Sequence, residues 1–364
     1  MPFIPALAQP LLYAFARAFT QPTFQRGLLL LVATVLTPGR RTVTNVLRTV
    51  GNLCVGHPSS YHRGFSQRRW SAWRLSRALT TFILAHWVPT GPVVVVGDDT
   101  VEEHPGRKVF GKARHRAPVR SSHTFTAYRW GHKWGVLTVL VQFPFATRPW
   151  AWPVVVALYH SEAWNIKLGR RHKTPSVLRR QLLAVLLHWH PQRRFLFAGA
   201  GSYGTHDLAR FAQQHCRRLT LVSRFYPCAN LYAPPPPRGK ARVGRPRTKG
   251  PKLPWPQSQV AIAPRRRLRV RWYGATRRTV EVVTRTGHWD KGGEGLVAVR
   301  GVFVPDLTGP PRDEYFFTPA TRMTPQHLSG LYTGRWSIET TWEENLYAQA
   351  VAAASLGGAR SVTV

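Results

Sequence analysis

The stretch Gly91-Pro-Val-Val-Val-Val-Gly-Asp-Asp99 constrains the fold more than any other part of the chain. Four consecutive valines cannot present one polar and one apolar face, so they call for a strand covered on both sides, as in the parallel part of an α/β sheet. A Gly-Pro turn opens that strand and two carboxylates close it. Carboxylates at the end of a central strand are poorly solvated and need cations or hydrogen-bond donors. Two readings satisfy that need: a structural salt bridge to Arg107 or Lys108, or a divalent-metal ligand at a strand edge.

Acids are scarce elsewhere, which makes their positions informative. The chain carries 52 Lys and Arg against 15 Asp and Glu, a net charge of +37. Residues 1–97 hold ten Arg and no acid, and then Asp98, Asp99, Glu102 and Glu103 arrive together. Such a charge excludes an ordinary metabolic-enzyme surface and points to a polyanionic partner, most simply nucleic acid. Hydrophobic residues make up 43% and aromatics 12% of the chain, enough to build a core, which excludes a disordered basic tail. The ordered α/β pattern also argues against a ribosomal-type RNA-binding protein. Three cysteines without Cys-x-x-Cys spacing (Cys54, Cys216, Cys228) exclude a disulfide scaffold and a zinc ribbon and fit a reducing cytosol. The longest apolar run, Gly27 to Leu36, is about half of the ~20 residues a bilayer requires, so no membrane partner is expected. The apolar N-terminus lacks the basic flank of a signal peptide.

Residues 1–90 read as a helical, basic domain, with helices over Phe24–Leu36, from Thr42 and over Ser71–Ala85. Arg63, Arg68, Arg69, Arg74 and Arg77, with Tyr61, Trp70 and Trp73 among them, form a basic-aromatic face suited to phosphate contact. Residues 91–225 alternate strands (Val93–Val96, Ser121–Tyr128, Gly135–Phe143, Trp152–Tyr159, Arg194–Ala198, Leu219–Arg224) with helices over Pro175–His188 and His206–Gln214. Residues 226–300 hold a Pro/Arg-rich loop and a β-rich section. In Arg238–Lys252, seven of fifteen residues are basic, and Gly244-Arg245-Pro246-Arg247 is similar to a minor-groove Arg hook. Strands over Arg265–Tyr273, Thr279–Arg285, Leu296–Phe303 and Glu314–Thr318 follow, and Pro325 opens a closing helical segment, within 301–344. There Arg335 and Glu339, four apart, would share one helix face, an ordinary surface pair on spacing alone.

The order of these features resembles the DDE transposases of bacterial insertion sequences, in the group related to insertion-sequence families 4 and 701. The matching stretches include Val96-Gly-Asp-Asp-Thr100, Gly199-Ala-Gly-Ser-Tyr-Gly-Thr-His206 and Arg271-Trp-Tyr-Gly274. The most specific is Tyr332-Thr-Gly-Arg-Trp-Ser-Ile-Glu339, whose Tyr, two residues, Arg, three residues, Glu spacing is the family's signature around its third carboxylate. The resemblance implies an RNase H-like mixed α/β sheet, preceded by the helical DNA-binding domain and interrupted by the β-rich insertion. It implies Asp99, an Asp on a later strand, and Glu339 as a catalytic trio holding two Mg²⁺ (or Mn²⁺) ions, with Asp98 competing for the first place. It further implies Tyr332 and Arg335 on the DNA backbone, double-stranded transposon ends and target DNA as partners, a homodimer on DNA, and a cytoplasmic, nucleoid-associated protein.

Two departures from the pattern stand out. Ala200 occupies the place of the second acid, and alanine offers no ligand. Asp207, seven residues on, sits where a helix should start and reads as a cap rather than a replacement. Past Glu344 the tail 345–364 is rich in small residues and loses the resemblance, as a frameshift would leave it. The expectation is therefore a transposase by descent with impaired catalysis, or a non-catalytic DNA-binding relic that competes with intact copies.

Overall fold

A computed structural model of the chain describes residues 4–344 apart from 5, 68–69, 105, 107, 118–119, 122–123, 237–246, 274–276 and 306–312. The chain divides into two compact units, Met1–Pro89 with Glu339–Val364, and Thr90–Ile338.

The first unit is helical: α1 (Gln9–Ala14), α2 (Gln21–Leu36), α3 (Val43–Val50), α4 (Pro58–Ser66) and α5 (Ala72–His86). Local chemistry sets its boundaries. Thr42 and Ser71 each accept a hydrogen bond from the backbone N–H three residues on, capping α3 and α5. Leu29, Leu30 and Ala33 of α2 pack with Val46, Leu47 and Tyr61 in one apolar cluster. Tyr61 thus belongs to the core rather than to a basic-aromatic face; it is 2% exposed and its hydroxyl donates to the Val55 carbonyl. Of the eight described arginines among residues 1–89, all but Arg26 are exposed.

The second unit is built on one large sheet of β1 (Val93–Glu103), β2 (Ala113–Arg116), β3 (Tyr128–Val141), β4 (Trp150–Tyr159), β5 (Phe195–Gly199), β6 (Leu219–Arg224), β7 (Leu231–Tyr232), β8 (Arg266–Arg271), β9 (Arg277–Lys291), β10 (Gly295–Val304) and β11 (Glu314–Thr318). Its helices are α6 (Glu162–Lys167), α7 (Pro175–Trp189), α8 (His206–Gln214), α9 (Pro256–Ile262) and α10 (Pro325–Gly334). At its heart β4, β3 and β1 form an antiparallel meander, while β1, β5 and β6 run parallel, with α7 and α8 in the crossovers. An antiparallel meander joined to parallel crossover strands in this order is the RNase H-like arrangement. β11 pairs antiparallel with β6 and carries the sheet on through β10 and β9, with β8 paired to β9.

Thr174 and Thr324 each cap a helix whose first residue is Pro, so α7 and α10 start where a Thr-Pro step has no N–H to lose. Two expectations need correction. The strand expected over Ser121–Tyr128 is replaced by one that begins only at Tyr128, and the described residues 121 and 124–127 lie outside it. β1 also continues through both acids to Glu103, because β3 goes on supplying backbone partners after the parallel neighbour stops.

Candidate active site

Register locates the site. The parallel pairing of β1 with β5 ends at Gly97 opposite Gly199, and that of β5 with β6 ends at Gly199 opposite Ser223. The next residues, Asp98, Ala200 and Arg224, therefore stand in a row along the carboxyl edge of three strands, the usual place for a ligand in such a sheet. Ala200 donates its N–H to the Gly97 carbonyl at 3.0 Å, which ties the two strand ends together. Gly97 is required there: a Cβ would lie 2.7 Å from the Phe197 ring and 3.0 Å from Tyr203.

Successive residues of a strand point to opposite faces, so Asp98 and Asp99 cannot serve one site equally. The Asp99 carboxylate lies opposite Gly135 on β3 and meets α7. Arg179 donates from Nε to Asp99 Oδ1 at 3.2 Å and from its terminal nitrogen to Oδ2, a two-pronged pair. Lys133, diagonal to Asp99 across the β1–β3 pair, places Nζ 3.4 Å from Oδ2. Asp98 accepts instead from Arg335, at 3.4 Å, and its Oδ1 receives the Asp99 N–H at 2.8 Å. The acid that shares an edge row with Ala200 and meets the signature arginine is thus Asp98, whereas Asp99 was the stronger candidate on motif position.

The cations are also not the expected ones. Arg179, Lys133 and Arg335 are 80, 34 and 237 residues from the acids they meet, so no local reading selects them. Arg107 lies outside the described residues.

Tyr203, in the turn Gly201–Tyr203 after Ala200, is fully buried and reaches the Asp98 backbone carbonyl at 3.4 Å. Burial pushes its phenol well above the usual range, and the negative charge of Asp99 adds to that. Arg179 lies 5.1 Å over the Tyr203 ring and donates to the Ser202 carbonyl at 2.8 Å. Ser202 and Tyr203 sit in the matched Gly199–His206 stretch, but nothing in the sequence marked their contacts.

The remaining candidates are dispersed. Tyr332 is 2% exposed and packs against Phe316 with tilted rings whose centroids are 4.4 Å apart, so it fills the core instead of a DNA-facing surface. Arg335 is the C-cap of α10, residues 335–336 turn, and 337–344 are helical again. Thr205 caps α8; Asp207, in its first turn, pairs with Arg180 at 3.4 Å and favours the helix dipole. Arg247 is exposed, while Arg68, Arg69, Arg245 and the tail 345–364 lie outside the described residues.

The model of one family, described as DDE superfamily endonuclease, matches residues 14–279. This chain belongs to the DDE superfamily endonuclease family. The match takes in the Asp98–Asp99 pair, Ala200 and Arg179. No curated protein matches it. Among solved structures it is similar to a piggyBac transposase synaptic complex with hairpin DNA, at 13% identity and a TM-score of 0.40. That likeness covers 90% of this chain, which spans only 61% of the piggyBac chain.

Endonucleases of this superfamily typically use divalent metals, and the residues of this edge do not fit a two-cation centre. Ala200 supplies no oxygen beyond its backbone, and both oxygens of Asp99 are committed to Arg179 and Lys133. Among the described residues of the sheet unit, no three His, Cys, Asp or Glu side chains converge to hold a metal ion. What the edge offers instead is two carboxylates already met by cations, Asp98 by Arg335 and Asp99 by Arg179 and Lys133.

Proposed function

We propose that this DDE endonuclease is a DNA transposase by descent, of the insertion-sequence type, that binds double-stranded DNA and is impaired in strand cleavage. The observation that carries the reading is the edge row itself, in which Asp98 stands beside Ala200 where the family calls for a second acid. Affinity rests on charge. The N-terminal unit has exposed Arg17, Arg40, Arg41, Arg48, Arg63, Arg74 and Arg77 with no acid among residues 1–89. Arg17 and Arg74, with Thr20, Trp70 and Ser71, line an open cleft of about 480 Å³ whose donors suit phosphate oxygens. Transposon ends and target DNA are the intended substrates, a homodimer on DNA is the intended assembly, and a nucleoid-associated cytoplasmic location follows from both. Among the described residues no helix is long and apolar enough to cross a membrane.

The family's Mg²⁺ dependence enters only through the test. Purified protein is incubated with its element's ends and Mg²⁺, and nicking is scored beside end-specific binding. The expected result is binding without cleavage above background. Robust nicking that Asp98→Ala or Asp99→Ala abolishes would overturn the claim of impairment. Binding indifferent to end sequence would reduce the reading to a non-specific DNA-binding relic, which Ala200 also favours.

A further inference from the structure

We infer that Arg179 holds the place of a cation at Asp99, closing that carboxylate to divalent metals and clamping the end of β1 to the turn after Ala200. The guanidinium uses each of its nitrogens. Nε and one terminal nitrogen fork the two Asp99 oxygens, and the other terminal nitrogen donates to the Ser202 carbonyl at 2.8 Å. The face of the group lies over Tyr203. The Arg179 and Asp99 side chains are 8% and 13% exposed, so neither carries a full hydration shell to exchange for the other.

A bridging metal in a strand-end carboxylate site does two things: it neutralises the acids and it joins the two strand ends. Arg179 does both here without a second carboxylate. It cancels the charge of Asp99 and, through Ser202, fixes the turn that follows Ala200. A divalent ion reaching Asp99 would have to expel a buried guanidinium and sit beside Lys133, 3.4 Å from Oδ2. Like-charge repulsion and the stranded arginine both oppose that exchange. The same contacts account for a fold that keeps its strand-end geometry with alanine at position 200.

The inference takes its metal question from the family reading, but its test is separate from DNA binding. Mn²⁺ is titrated into the full-length protein and into Asp99→Asn, Asp98→Asn and Arg179→Gln, with free Mn²⁺ followed by electron paramagnetic resonance. The wild-type isotherm should be unchanged by Asp99→Asn, and Arg179→Gln should gain a site whose affinity exceeds wild type by about tenfold or more. A wild-type site that weakens by about tenfold in Asp99→Asn overturns the inference. If Arg179→Gln does not fold, the wild type alone decides through Fe²⁺-directed backbone cleavage with ascorbate and peroxide. Cuts confined to residues 98–100 that vanish in Asp99→Asn but persist in Asp98→Asn refute the inference; their absence supports it. A protein that binds transposon ends yet shows the Asp99-dependent site would overturn this inference and leave the transposase reading standing. One that binds no DNA and shows no such site would do the reverse.

Discussion

Asp99→Asn measured in chelator separates a structural carboxylate from a waiting metal ligand by the sign of the change. In a metal-free metal site, an acid is an electrostatic liability, and neutralising it leaves stability unchanged or raised. Here the substitution leaves Arg179 buried with only the Ser202 carbonyl, the Tyr203 ring and one amide oxygen for company. Removing one partner of a buried pair costs about 3–5 kcal/mol. Exposures of 8% and 13% call for little discount. The retained Asn oxygen still accepts from one guanidinium nitrogen, which brings the expected loss to about 2–3 kcal/mol. The Lys133 contact, 23% exposed on the lysine side, adds no more than about 1 kcal/mol. With a urea slope near 3 kcal/mol/M, the unfolding midpoint should fall by about 1 M. Added NaCl should barely change the difference, since the pair is shielded from solvent. A double-mutant cycle with Arg179→Met should return a coupling of about 2 kcal/mol. An unchanged or raised midpoint in chelator, or additive single effects, would refute the structural role of the pair.

Gly199→Ala places a methyl group onto the Tyr203 side chain and should cost about 1–3 kcal/mol in thermal unfolding; a wild-type melting curve would show that Tyr203 is not locked there. DNA affinity should fall linearly in log–log form with salt, and Arg17→Ala and Arg74→Ala should each reduce the slope by about one. Unchanged slopes would remove those residues from the DNA-binding face. Tyr273 donates to Glu314 at 2.8 Å, and burial, then the Glu314 charge, raise its phenol above the usual range. The folded state therefore holds that proton more tightly than the unfolded state. Its contribution is complete below about pH 10 and is lost as pH rises further, so Tyr273→Phe should flatten the alkaline limb of a stability–pH curve. Tyr332→Phe should leave DNA binding unaltered, because the ring is in the core.

Much of this fold was legible because its signals are local. The valine run made β1, Thr-Pro steps started α7 and α10, and single Ser or Thr caps placed α3, α5 and α8. Periodicity and capping involve neighbours within one turn or one pleat, which a sequence displays directly. The sequence also placed Ala200 in a strand-end motif. It went wrong where one residue type fits two environments. Basic neighbours suggested a DNA surface for Tyr61 and the family signature suggested one for Tyr332, but packing buries both rings.

By itself the sequence determined the net charge, the buried valine strand and the pair of acids at positions 98 and 99. Only the tertiary structure divided that pair. The pleat turns adjacent side chains to opposite faces, α7 delivers Arg179 to one and α10 delivers Arg335 to the other. Those partners arrive across 80 and 237 residues of chain, through helix docking and sheet register that no window of sequence contains.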